Sequence, residues 1–117
     1  MWIAYAVLAI VVALMVTASG VMKIRRDPQV VKVIHDLVGV PLTFLPVLAA
    51  CEFAGAVGLV AGIRWPSIGL AAAAGLIVYF VGAVIGHLRI GDAKGIGPAA
   101  FMLGLSIACG IVRALAA

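Results

Sequence analysis

Four long apolar runs, at about Trp2 to Met22, Thr43 to Ile63, Pro66 to Leu88 and Pro98 to Leu115, alternate with short segments that hold most of the charge. Each run meets the roughly 20 residues a helix needs to cross about 30 Å of hydrocarbon. Inside a bilayer every backbone N–H and C=O must be bonded within the protein, and runs of this length do that as helices. The pattern predicts an all-α, polytopic membrane protein, a four-transmembrane-helix bundle forming one domain over residues 1–117.

The gaps differ in character. KIRRDPQVVKVIHDLVGVP is too polar to span and too patterned for a plain loop. Asp27 can cap a helix whose first residue is Pro28, and Gly39 with Pro41 is a stop signal, so a short helix is predicted over about residues 28–38. Val30, Val33, Ile34, Leu37 and Val38 share one face and Gln29, Lys32 and Asp36 the other, the pattern of an amphipathic helix lying in the interface. The second and third runs are joined by little more than Arg64, Trp65 and Pro66, which predicts a tight hairpin with Trp65 at headgroup level. Between the third and fourth runs lies RIGDAKGIG, where Gly97 and Pro98 predict the start of the last helix.

Composition agrees. Hydrophobic residues make up 67% of the chain and the mean hydropathy is +1.35, which excludes an ordinary soluble domain. The formal charge of +4 and pI near 9.6 do not imply nucleic acid, because the basic residues lie between apolar runs, where they meet lipid headgroups and set topology. Lys23, Arg25, Arg26, Lys32, Arg89 and Lys94 fall on one side of the predicted bundle and Arg64 and Arg113 on the other. The first and third connections are therefore expected in the cytoplasm and both termini outside, in a bacterial inner membrane. The first run is no signal peptide, since it lacks an early basic residue and exceeds the usual apolar core of about 7 to 15 residues. Cys51 and Cys109 lie in different runs without CxxC spacing, which signals neither a redox dithiol nor a zinc site, and both are expected as small buried thiols.

Helices associate in lipid by close packing at small residues, and each run offers a stripe: Ala6, Ala9, Ala13, Thr17 and Gly20; Ala54, Gly58 and Gly62; Gly75, Gly82 and Gly86; Ala100, Gly104 and Ala108. These are expected as contacts within the bundle, with a homo-oligomer as the other use.

Glu52 is the chemical anomaly. It lies about nine residues into the second run, some 12 to 15 Å below the cytoplasmic end, where a carboxylate needs a partner or a proton. Its use is either ligand binding and proton relay or an internal tether between helices. Lys23 closes the first run and can pair with it, and His87 is a candidate relay toward the aqueous loop, followed by Arg89 and Asp92. Gly55 and Leu59 share the Glu52 face, which should point into the bundle. His35 and Asp36 form a weaker constellation, because neighbours on a helix diverge by about 100°. Tyr79 and Phe80, near mid-depth of the third run, suit either ordinary packing or the border of a flat ligand such as a quinone.

SGVMKI with Lys23, EFAGAVGLVAG with Glu52, and GHLRIGD closing the third run together resemble the DoxX-like family of small four-helix bacterial membrane proteins, over about Ser19 to Asp92. The resemblance implies a membrane component near quinone or sulfur redox chemistry, since some relatives are similar to a thiosulfate:quinone oxidoreductase subunit and others are linked to thiol or oxidative-stress systems. It carries no established catalytic residue, and the missing paired cysteines speak against thiol exchange.

Three functions follow. The first is an accessory or anchor subunit of a larger redox complex, binding a quinone with Glu52, Lys23 and His87 at its polar end, and with no haem, flavin or metal motif in the chain. The second is a small proton-coupled transporter or lipid-binding protein using Glu52, although small multidrug exporters carry their acid in the first span. The third is a structural assembly partner in which Glu52 serves bundle specificity alone. The residues name no reaction.

Overall fold

The computed structural model describes residues 2–25, 27–31, 44–91 and 93–116. These form α1 (Trp2–Ile24), α2 (Pro28–Val31), α3 (Leu45–Ala61), α4 (Pro66–Ile90) and α5 (Ala93–Ala116), with no strand among the described residues. The four long helices pack in a ring, α1 on α3, α3 on α4, α4 on α5 and α5 back on α1. Its centre is filled by Tyr5, Val12, Val16, Leu59, Leu76, Phe80 and Cys109. The outside carries exposed Ile3, Leu14, Val57, Val78 and Leu115 among many others. Water would not tolerate so continuous an apolar surface, whereas lipid tails match it.

Three helices, α1, α4 and the Ile96–Ala116 part of α5, are long and apolar enough to cross a membrane. The fourth, α3, is a shorter apolar helix of 17 residues, about 25 Å long, less than the run from 43 to 63 led one to expect. Pro46 sits in its first turn, where a missing N–H costs nothing. At the other end Gly62, Ile63 and Arg64 already belong to the turn, with Arg64 N–H and Trp65 N–H both donating to the Ala61 carbonyl. Pro66 then opens α4 with its preset φ, behind an extended Trp65.

This hairpin closes because Gly62 and Gly69 have no side chains. A Cβ on Gly62 would run into the Gly69 backbone, and one on Gly69 would lie 2.7 Å from the Tyr5 hydroxyl oxygen. The exit of α4 uses a second glycine differently: Gly91 stands at φ 69°, a left-handed cap that L side chains adopt reluctantly.

One boundary corrects the expectations. The last helix begins at Ala93, not at Pro98, which lies inside it. Pro98 forfeits one bond, to the carbonyl of Lys94, and that first turn is at the exposed end of α5, where water can substitute. The predicted helix over 28–38 begins as expected at Pro28, with Val31 N–H donating to the Asp27 carbonyl, but beyond Val31 it lies outside the described residues, as do His35, Asp36 and Asp92.

The small-residue stripes divide. Ala9, Ala13 and Gly20 of α1 and Gly62, just past the end of α3, are buried in the bundle. Thr17, Ala54, Gly75, Gly82, Ala100 and Gly104 instead face outward, and an added Cβ at Gly75, Gly82 or Gly104 would meet open space. Larger residues (Leu76, Phe80, Cys109) took the inward positions on α4 and α5, since four helices in a ring leave a centre that glycines would not fill.

Candidate functional site

Glu52 lies seven residues into α3, on the face that also buries Ala49, Gly55, Ala56 and Leu59. This is the 3-and-4 spacing of one helical stripe, and it carries the carboxylate into the bundle, fully buried. Lys23, in the last turn of α1, meets it: Lys23 Nζ is 2.5 Å from Glu52 Oε1. The C-terminal end of α1 favours a cation through its unsatisfied carbonyls. Lys23 also donates to Ser19 Oγ at 2.8 Å, one turn back on α1. From α4, Tyr79 donates its hydroxyl to the same Glu52 Oε1 at 2.9 Å, and its ring lies 5.9 Å from the ammonium. Phe80 steadies that ring edge-on, with centroids 5.1 Å apart and planes at 83°.

Three helices thus contribute to one carboxylate, and its two oxygens differ. Oε1 takes both donors, whereas Oε2 is buried and has no hydrogen-bond partner. A buried acceptor left open costs about 1 to 3 kcal/mol, more when it is charged, so Oε2 is suited to a donor from outside the protein. Gly55, one turn further, lets the Leu76 side chain close the floor: a Cβ there would lie 2.6 Å from Leu76 Cδ2.

The other residues singled out from the sequence are placed differently. His87 is eight residues beyond Tyr79 on α4, about 12 Å along the axis, half-buried near the helix end, and Arg89 is exposed there. Cys51, expected to be buried, is exposed, because it follows the outward face of α3 next to Glu52; Cys109 is buried. Arg113, expected at the headgroups, is only 3% exposed. A groove of ≈ 460 Å³ lies along the α1–α3 seam, lined by Ile10, Ala13, Leu14, Thr17, Ala56, Val57, Val60 and Ala61. It is almost wholly apolar and does not include the carboxylate. The next layer of the seam is Phe53, whose ring lies where a Cβ on Gly20 would be, and only then come Lys23 and Glu52.

The sequence profile of the DoxX-like family matches residues 7–109. The chain belongs to the DoxX-like family. That span includes Lys23, Glu52, Tyr79, His87 and Arg89 and stops short of Tyr5 and Arg113. No curated protein and no solved structure matches the chain. Family membership together with the apolar helices makes it a multi-pass membrane protein in contact with lipid.

Proposed function

We propose that this DoxX-like protein is an accessory membrane subunit that holds a small apolar molecule with a hydrogen-bonding head, of the quinone/quinol class, against the Glu52 carboxylate. The observation that carries this reading is the open Oε2 of a fully buried acid whose other oxygen is already taken. A quinol hydroxyl is the donor such an oxygen lacks. A quinone carbonyl, the oxidised form, can take the third N–H of the Lys23 ammonium, whose other two go to Glu52 and Ser19. The α1–α3 groove is apolar enough for a prenyl tail, with Phe53 between it and the polar head site. His87 and Arg89 would lie toward the aqueous side of α4 as a proton path. Chemistry on the quinone would belong to a larger redox enzyme alongside. The basic residues around the ends of α1 and α4 favour that end in the cytoplasm of a bacterial inner membrane, with both termini outside.

The test is extraction of the purified protein and mass analysis of what came with it. Near-stoichiometric quinone in the native chain, falling at least tenfold in Glu52→Gln, is expected. A native protein that stays empty when purified from quinone-replete membranes overturns the reading. Crosslinking in native membranes is expected to capture a larger enzyme at fixed stoichiometry.

A further inference from the structure

The end of the bundle opposite the Glu52 site carries a second buried charge. Arg113, in the last turn of α5, is 3% exposed. Its Nη1 donates to the Gly62 carbonyl at 2.9 Å, capping α3, and its Cζ lies 4.9 Å from the centroid of the Tyr5 ring. Tyr5 is locked in turn by its hydroxyl, which donates to the Leu59 carbonyl at 2.7 Å. The negative end of the α3 dipole and the aromatic face both favour a cation. They do not saturate it. A guanidinium has five N–H donors, and Nε is buried with no acceptor.

Among the described residues no acidic side chain of the chain fills that gap. Its four acids are Asp27, Asp36, Glu52 and Asp92. Glu52 is ten residues back from Gly62, about 15 Å along α3, and already paired to Lys23. In sequence the other three border the connections at the far end of the bundle. Arg64, the other charged side chain described at this end, is exposed and of the same sign. The depth is informative: Arg113 sits at the last carbonyls of α3, level with Trp2, whose indole N–H donates to the Ile63 carbonyl at 3.3 Å, and with Trp65, and both indoles are about half exposed. Tryptophans of that kind mark the headgroup level, where phosphates are.

We propose that Arg113 is an anion site that takes a phosphate-class oxyanion through its Nε edge, with Tyr5 and the α3 carboxyl end holding the guanidinium in place. A planar fork of parallel N–H donors matches two oxygens of one phosphate. The oxyanion could come from a lipid headgroup or from free phosphate, and the two are separable. This proposal is independent of the quinone reading, because it uses no residue of the Glu52 cluster.

The test uses the full chain in a maltoside detergent with 15N-labelled arginine, following the Arg113 Nε–H resonance, identified by its loss in Arg113→Lys. Phosphatidylglycerol, inorganic phosphate and uncharged diacylglycerol are titrated separately. A saturable shift with phosphatidylglycerol assigns a lipid headgroup; a saturable shift with inorganic phosphate assigns a soluble oxyanion. No shift with either, or an equal shift with diacylglycerol, overturns the proposal and leaves Arg113 as a helix cap. Arg113→Lys keeps the charge and loses the fork, so affinity by native mass spectrometry is expected to fall at least tenfold, and unchanged affinity overturns the bidentate assignment. Should that variant fail to insert, the resonance is identified as the one that survives in each of Arg25→Lys, Arg26→Lys, Arg64→Lys and Arg89→Lys, and the native-chain titration decides.

Discussion

Glu52 and Lys23 are each tolerable in the bundle only because the other is there. Two buried charges gain little over an apolar pair, but removing one partner strands the other, at a cost of about 3 to 5 kcal/mol. Glu52→Leu and Lys23→Met are each expected to lower unfolding stability in mixed micelles by several kcal/mol, whereas the two combined are expected to recover most of it. An additive double variant would mean that the 2.5 Å contact is energetically idle. Tyr79→Phe removes a hydrogen bond to a charged group and leaves the ring against Phe80, so a smaller loss of about 1.5 to 3 kcal/mol is expected from the same titration. Glu52 was conspicuous in the sequence because a lone acid in an apolar run must be accommodated. Tyr79 stood out only as packing or the border of a flat ligand, since nothing in the sequence places its hydroxyl on Glu52.

Among the helices, close approach is what distinguishes one glycine from another. Gly62→Ala forces a methyl group into the Gly69 backbone, where nothing flexible can yield. Overpacking of that kind costs about 1 to 3 kcal/mol. Gly82→Ala and Gly104→Ala, by contrast, point into open space and exchange a poor helix former for a good one, so stability is expected to hold or rise slightly. Thermal unfolding of the three variants side by side checks this, and a destabilised Gly82→Ala would mean that α4 packs on something through that face. All these glycines have the same i, i+4 spacing logic in the sequence, which is why the stripes looked equivalent there. Spacing gives a shared face, and it does not give the direction in which the face points.

The molecule as a whole separates its buried polar features into two ends, a Lys–Glu–Tyr cluster near one and the buried Arg113 near the other. In a background where Cys51 and Cys109 are replaced by Ala, Arg64→Cys is expected to react with an impermeant maleimide added outside intact cells, and Arg25→Cys only after the membrane is opened. The reverse pattern would invert the orientation. Arg113 belongs to this scale, because its burial comes from the meeting of α1, α3 and α5; from the sequence it read as one more basic residue flanking a span.

From the sequence alone, the number of long helices, their membrane setting and the family were decided, and so was the presence of an acid that had to be buried. These follow from run length and hydropathy, properties of the chain in one dimension that lipid converts directly into helices. The tertiary structure decided which stripe of each helix turned inward, that α3 stops short, and which groups share a carboxylate. Tyr79 is 27 residues from Glu52 and Arg113 is 51 from the carbonyl it caps, separations that only the packing register of the ring can bring to hydrogen-bonding distance.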